Sequence, residues 1–353
     1  MARPCRIRTG FAVPADARAR REHLRSLFRA IGLYRAPPPG RIRPAVSVVV
    51  LCGGVGAARF LEGLVRVVET ARITAIVNVA DDEVFHGLHV SPDLDTVMYT
   101  LAGCVDEARG WGVREDTHRA QDMLVRYGRQ GWFVLGDSDL ATHVLRTERL
   151  RAGIPLSTVT RELAQALGVE VTLLPATDDR FATEVRTDAG WLRFQDYFVR
   201  RRAADDVREV RWIGAARPAP GVLAAIAGAR AVILAPSNPI VSIGPILAVP
   251  GIREALRATA APVVAVSPII AGEALKGPAA AMLRTLGHEC SALGVARIYA
   301  DLLDALVLDE RDAALAPRVA ALGIRPVVTA TVMRDLAAKE ALARAALRAA
   351  DCA

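Results

Sequence analysis

Apolar runs of four to seven residues alternate with helical spacing along most of this chain. Residues 47–51 carry no polar position after the first, the pattern of a strand covered on both faces. Residues 57–70 then put Phe60, Leu61, Leu64, Val67 and Val68 on one helical face. Residues 73–79 read as a second strand, and 93–102 as a helix with Leu94, Val97, Met98 and Leu101 inward. The alternation returns at 231–235, 263–266 and 305–308, and a last helix spans about 332–349. This order predicts an α/β fold, a Rossmann-like and mostly parallel sheet with helices on both faces.

The middle of the chain breaks the rhythm. Residues 114–128, 140–153 and 157–167 look helical, with Ser157 as the N-cap of the third. Val169, Val171 and Leu173 alternate like a half-buried strand, and 184–198 reads as a hairpin turning at Asp188-Ala189-Gly190. These patterns predict an inserted smaller α+β subdomain over 104–215, with the core built from 45–103 and 216–353.

Composition changes this picture at one end only. With 353 residues, 52% hydrophobic and 24% charged, the chain suits a sizeable soluble core, and no apolar run approaches the roughly 18–20 residues that cross a bilayer. The net charge of +7 is local: residues 1–44 hold eleven arginines against Asp16 and Glu22, a balance of +9, while the remainder holds 34 basic and 36 acidic residues, a balance of −2. The basic extension, with Pro37, Pro38 and Pro39, is expected to be disordered, and the body carries no nucleic-acid footprint. Five scattered cysteines with no CxxC pair argue against a disulfide framework or a zinc site, so the expectation is a cytoplasmic protein without a membrane partner.

Ligands of open α/β sheets bind beyond the carboxyl ends of the strands. Four polar segments fall at such ends: 52–59, 78–82, 236–246 and 267–272. Gly53, Gly54 and Gly56 suit a tight turn that aims backbone N–H groups at an anion. Arg59 stands where a dinucleotide fingerprint needs its third glycine, and the Gly-Lys-Ser/Thr of a P-loop is missing. Asp81 and Asp82 follow the second strand, and Asp93 and Asp95 open the next helix. Carboxylates beside a phosphate cradle suit magnesium, and one of them also suits the proton of an attacking hydroxyl. Asp93 and Asp95 equally suit plain helix capping. Ser237, Asn238, Ser242 and Gly244 form a polar loop fit for a phosphate, a base or an ordinary turn, and Ser267 lies in a weaker version of it. Gly136-Asp137-Ser138-Asp139 opens a helix carrying His143, and His86 and His89 lie between the two acid pairs.

At these residues the chain resembles the 2-phospho-L-lactate transferase family of coenzyme F-420 biosynthesis. The likeness runs from about residue 46 onward. It is carried by the segments beginning Gly53-Gly54-Val55-Gly56, Asn78-Val79-Ala80-Asp81-Asp82, Ser91-Pro92-Asp93-Leu94-Asp95, Gly136-Asp137-Ser138-Asp139, Ser237-Asn238-Pro239, Ser242-Ile243-Gly244 and Ser267-Pro268. The resemblance implies transfer of a phospho-acid unit, phospholactyl or enolpyruvyl, from a guanosine-diphosphate-linked donor to the deazaflavin alcohol Fo, with release of GMP. It implies a magnesium ion held by Asp81 with Asp93 or Asp95, catalytic roles for Asp81 and Asp95, and a homodimer. The glycine turn with Arg59 and the Ser237–Gly244 loop would hold the guanylate side; Asp82, Asp95, Ser138, His143 and Ser267 complete the expected substrate contacts. The family often has arginine where this chain has Ser138, which makes Arg146 a candidate for its role. A related class, nucleotide-sugar-binding regulators of the gluconeogenesis-factor type, follows its acid pair with a Gly-Ser-rich segment, whereas here Glu83-Val84-Phe85-His86-Gly87 follows. A nicotinamide-dependent oxidoreductase is disfavoured by the missing third glycine.

Overall fold

The computed structural model describes residues 47–352; the basic extension expected at 1–44 lies outside the described residues. Strand β1 (Val48–Cys52) runs into helix α1 (Gly54–Val67), followed by β2 (Ile73–Val77), a short hairpin β3–β4 (Glu83–Phe85, Leu88–Val90) and α2 (Pro92–Ala102). Three helices follow: α3 (Arg119–Arg126), α4 (Asp137–Arg151) and α5 (Leu156–Ala166). Next come β5 (Thr172–Pro175), β6 (Ala182–Thr187), β7 (Gly190–Arg193), β8 (Glu209–Ile213) and β9 (Ala231–Leu234). Strand β10 (Val263–Val266), a two-residue hairpin β11–β12 (Ile269–Ile270, Glu273–Ala274), β13 (Ala305–Asp309) and β14 (Arg325–Thr329) lead to a C-terminal helix, Leu336–Ala349.

Seven strands form one sheet in the order β14-β13-β10-β9-β1-β2-β5, and every neighbouring pair is parallel. Side chains of β1 alternate between two cores, as a pleated strand requires. Val48, Val50 and Cys52 join the core under α1, α2, α5 and the C-terminal helix, and Val49 and Leu51 join the core under the helices of the second half. Burial on both faces explains why β1, β9, β10 and β13 read as unbroken apolar runs. From β1 the chain builds outward through β2 and β5, then returns to the other side of β1 at β9. That reversal opens a crevice at the carboxyl ends of β1 and β9.

Several local expectations shift. The alternating segment at 169–173 leads into β5, which pairs in parallel with β2 as an edge of the main sheet, so the stretch 104–215 is not separate from the core. The antiparallel part of that stretch is the sheet β7-β6-β8, and its first hairpin turns after Thr187, as the Asp188-Ala189-Gly190 signal predicts. Ser157 is not an N-cap: Pro155 precedes the helix, and the Ser157 N–H (2.6 Å) and hydroxyl (2.8 Å) both donate to Asp178. Helix 114–128 contracts to Arg119–Arg126, and the last helix starts at Leu336, where the Asp335 carboxylate accepts the Ala338 N–H at 2.8 Å. No single helix among the described residues is long and apolar enough to cross a membrane.

Candidate active site

The crevice at the sheet's switch point is closed by two backbones that touch. A Cβ on Gly53 would stand 2.5 Å from Asp93 Oδ2, 3.0 Å from Ser242 Cβ and 3.2 Å from Asn78 Cβ, and a Cβ on Gly56 would run into the Pro236 carbonyl oxygen. Glycine is the residue that lets the ends of β1, β2 and β9 meet the start of α2 here. The Ser237 hydroxyl donates to the Gly53 carbonyl at 2.9 Å and receives the Gly53 N–H at 3.4 Å, tying the turn after β1 to the loop after β9.

Above this junction lies a cavity of about 600 Å³. Of the residues singled out by sequence, Gly53, Gly54, Gly56, Arg59, Asp81, Asp93, Asp95, His143, Ser237, Asn238, Ser242 and Ser267 line it. Some of these are already committed. Asn238 Oδ1 accepts the Ile240 N–H at 2.9 Å as a helix cap, and the Ser267 hydroxyl donates to the Ile269 carbonyl at 2.9 Å.

Asp82, Ser138 and Gly244 do not line the cavity. The Asp82 carboxylate turns toward the β3–β4 hairpin, where it meets His89 Nε2 at 3.0 Å and accepts the Ser91 hydroxyl at 2.7 Å. Ser138 is exposed at the start of α4, its N–H held by Asp116 Oδ1 at 2.8 Å. Gly244 begins a short helix beside Trp212.

One end of the cavity holds uncompensated acid. Asp81 is 6% exposed and Asp93 8% exposed, and among the described residues neither forms an ion pair. Asn78 Nδ2 donates to Asp93 Oδ2 at 2.9 Å while Asn78 Oδ1 accepts the Ala80 N–H at 3.0 Å, so this buried amide fixes both the turn after β2 and the carboxylate. Gln195 Nε2 donates to the Asp81 carbonyl at 2.9 Å, but among the described residues Asp81 Oδ1 is buried with no hydrogen-bond partner. Burial pushes Asp81 well above the usual carboxylate range, and the charges of Asp93 and Asp82 add to it against a smaller pull from the Thr183 and Asn78 side chains. Burial also pushes Asp93 up, to about 6, against the pull of the Asn78 hydrogen bond.

The other end is neutralised. Asp95, 5% exposed, receives both terminal nitrogens of Arg146: Nη1 reaches Oδ2 at 3.0 Å and Nη2 grips Oδ1. Burial works against the Arg146 charge, yet the Asp95 carboxylate outweighs it and holds the guanidinium above its ordinary value. Arg146 Nη1 also lies 3.3 Å from His143 Nδ1. His143 Nε2 stands 3.2 Å from Asp139 Oδ1, which accepts the Tyr99 hydroxyl at 2.7 Å. Burial raises Asp139, but His143 and the Tyr99 hydroxyl outweigh it and leave that carboxyl below the usual range.

Ligand atoms of Asp95, Asp139 and His143 fall within 4.8 Å of one another, close enough for a metal ion. Arg146 already occupies Asp95 there. Within the expected metal set of Asp81, Asp93 and Asp95 the surroundings differ: among the described residues Asp81 and Asp93 form no ion pair, and Asp95 is paired with Arg146. Arg146 is 1% exposed and outside the cavity wall, so it does not take over a ligand-contacting arginine's role from position 138.

The acids around α4 exchange partners. Asp116 accepts the N–H groups of Ser138 (2.8 Å) and Asp139 (3.1 Å) at the start of α4. Asp137 accepts those of Arg119 (3.1 Å) and Ala120 (3.0 Å) at the start of α3. Sequence reading missed Asn78, Asp139, Gln195 and Tyr99 as site residues, and it also missed an apolar rim of Trp111, Phe133, Phe198 and Leu275. Asn78 had a signal, a lone amide directly after an apolar strand. Gln195 had none, because its partner lies 114 residues away.

Residues 48–344 match the family described as 2-phospho-L-lactate transferase CofD. Among curated relatives, a phosphoenolpyruvate transferase from Streptomyces griseus is 46% identical over 87% of this chain and 99% of its own length. A phosphoenolpyruvate transferase from Mycolicibacterium smegmatis is 43% identical over 86% of this chain and 98% of its own. A 2-phospho-L-lactate transferase from Methanothermobacter thermautotrophicus is 40% identical over 84% and 96%. A crystal structure of a UPF0052-family protein from Bacillus halodurans shares the fold with a TM-score of 0.58 at 17% identity, covering 87% of this chain and 99% of its own.

Proposed function

Because the chain belongs to the 2-phospho-L-lactate transferase family, we propose that it acts in coenzyme F-420 biosynthesis and moves a phospho-acid unit from a guanosine-diphosphate-linked donor to the deazaflavin alcohol Fo. The relatives at 46% and 43% identity are named phosphoenolpyruvate transferases, which supports enolpyruvyl as the acid carried by the donor. The product is then the dehydro form of coenzyme F-420-0, released with GMP by a cytoplasmic homodimer.

The observation that carries this reading is the Asp81–Asp93 end of the cavity. Two buried carboxylates stand beside a glycine turn, among the described residues neither forms an ion pair, and Asp81 Oδ1 is buried there without a hydrogen-bond partner. Buried charge of this kind is costly unless a counterion joins it, and hard oxygen ligands with room for phosphate oxygens and water fit magnesium. Held by Asp81 and Asp93, magnesium would supply charge neutralisation on the donor's diphosphate.

The chain's own groups do the rest. The 14-residue helix that begins at Gly54 points its N-terminus at the cavity and favours an anion there. Arg59, half-buried on the same helix, lines the cavity on the phosphate side. Trp111, Phe133 and Phe198 give the planar acceptor an apolar wall. Each Asp95 oxygen keeps a lone pair beyond those Arg146 takes, so this carboxylate can hold the acceptor hydroxyl and receive its proton. The hydroxyl oxygen bonds to the phosphorus bearing the acid, the bond from that phosphorus to the bridging oxygen breaks, and GMP leaves with the electron pair.

Mass spectrometry of the product from Fo, magnesium and a panel of guanosine-diphosphate-linked acids tests the reading. The enolpyruvyl adduct of Fo with stoichiometric GMP is expected; no Fo adduct from any donor would reject it.

A further inference from the structure

Asp93 and Asp95 leave the same turn of α2 two residues apart, so their side chains diverge by about 200° around the helix axis. The divergence separates their partners. Asp93 meets Asn78 and faces the glycine turn, where a Cβ on Gly53 would touch its Oδ2. Asp95 meets a guanidinium whose two terminal nitrogens bind its two oxygens. That fork fixes the plane of the carboxylate as well as its charge, which a point-charge lysine cannot do.

The guanidinium is itself held from three sides. Arg146 lies on α4, it reaches Asp95 on α2, and its Nη1 stands 3.5 Å from the His89 carbonyl of β4. The same nitrogen faces His143 Nδ1 at 3.3 Å. Arginine offers only donors, so Nδ1 is the acceptor in that contact, and Nε2 on the far side of the ring stands 3.2 Å from Asp139 Oδ1. One buried arginine thus orders Asp95, His143 and, through it, Asp139, three residues that all line the cavity.

Building on the function proposed above, we infer that Arg146 is a positioning residue: it keeps Asp95 out of the metal's coordination and aimed at the acceptor alcohol, leaving the cation to Asp81 and Asp93. A carboxylate already neutralised bidentately offers a divalent cation little. Asp81 and Asp93, without an ion pair among the described residues, offer more.

The test uses the full-length protein and four variants: Arg146→Lys, Asp95→Asn, their double variant and Asp81→Asn. Binding of Mn2+ in the presence of GDP is followed by electron paramagnetic resonance, and kcat and KM for Fo are measured with magnesium. Thermal melts identify the folded variants. Arg146→Lys and Asp95→Asn are expected to bind Mn2+ within twofold of the parent protein, while Asp81→Asn loses at least tenfold. Arg146→Lys is expected to raise KM for Fo about tenfold with a smaller change in kcat, and the double variant to be no worse than Asp95→Asn, as for two residues acting through one contact. A structural role alone would lower kcat through the folded fraction and leave KM in place. Tenfold loss of Mn2+ in Arg146→Lys or Asp95→Asn, an unchanged KM, or additive effects in the double variant would overturn the inference. Should the parent protein make no Fo adduct, the functional reading fails by itself, and the Mn2+ arm still decides which aspartates hold the cation.

Discussion

Asp93 and Asp95 share a helical turn and meet opposite electrostatic surroundings. Among the described residues the Asn78 amide and the Gly54 N–H stabilise the charge of Asp93, which faces Asp81, and burial lifts it to about 6. Asp95 rests against a guanidinium buried to 1% exposure. The difference shows that the spacing of acids along a chain does not define a metal site; the company each carboxylate keeps does. An acid without a partner is an open ligand, and an acid with a buried arginine is a fixed dipole.

Three experiments press on that contrast. The largest effect belongs to Asp81→Asn, which should cut turnover on the order of 10³-fold, since a lost metal contact removes several kcal/mol of charge stabilisation. Its melting temperature should hold or rise, because a desolvated charge goes with it. Turnover within threefold of the parent would strip that end of its role. Next, Arg146→Met should destabilise the protein by about 3–5 kcal/mol in urea titrations, the usual cost of stranding one half of a buried pair. Adding Asp95→Asn should recover part of the loss. A drop under about 1 kcal/mol would mean that Asp95 is not confined by the arginine.

The third effect is a pH slope. Asp93 in the folded protein titrates near 6, above its unfolded value, so folding takes up a proton between those two points. The metal-free protein should therefore lose stability as pH rises from about 4 through 6, with Asp93 contributing on the order of 3 kcal/mol for a shift of roughly two units and the raised Asp81 adding a slope of the same sign. Asp93→Asn should flatten the slope, and magnesium with GDP should offset the loss above pH 6. Equal slopes in the parent and the variant, measured by denaturation at constant salt, would assign the titration to another group.

The central strands were legible because they are covered on both faces: 47–51, 231–235, 263–266 and 305–308 each fall within a residue of a strand in the sheet. The edges were not. Strand β14 carries Arg325 and Pro326 and is only half covered, so no apolar run marks it. Strand β5 is half covered too, and its alternation imitates the antiparallel insert that follows. At the site, the turn-forming glycines and strand-end acids announce themselves locally. What turns them into two different ends does not. Arg146 lies 51 residues from Asp95, and Gln195 lies 114 residues from Asp81. Position 138 was misleading for a related reason: its motif is contiguous in sequence, but of its residues Asp139 lines the cavity while Ser138 is exposed at the start of α4.

The exchange of aspartates between α3 and α4 has a consequence for the ways this wall can vary. Asp116 reaches α4 only because position 136 lacks a side chain; a methyl group there would strike the Asp116 carboxylate. Losing that reach would expose the first amides of α4, and the displaced strand of chain would drag Asp137 from the first amides of α3. Neither helix start can be altered without disturbing the other, because each is held by an aspartate that belongs to the other's side.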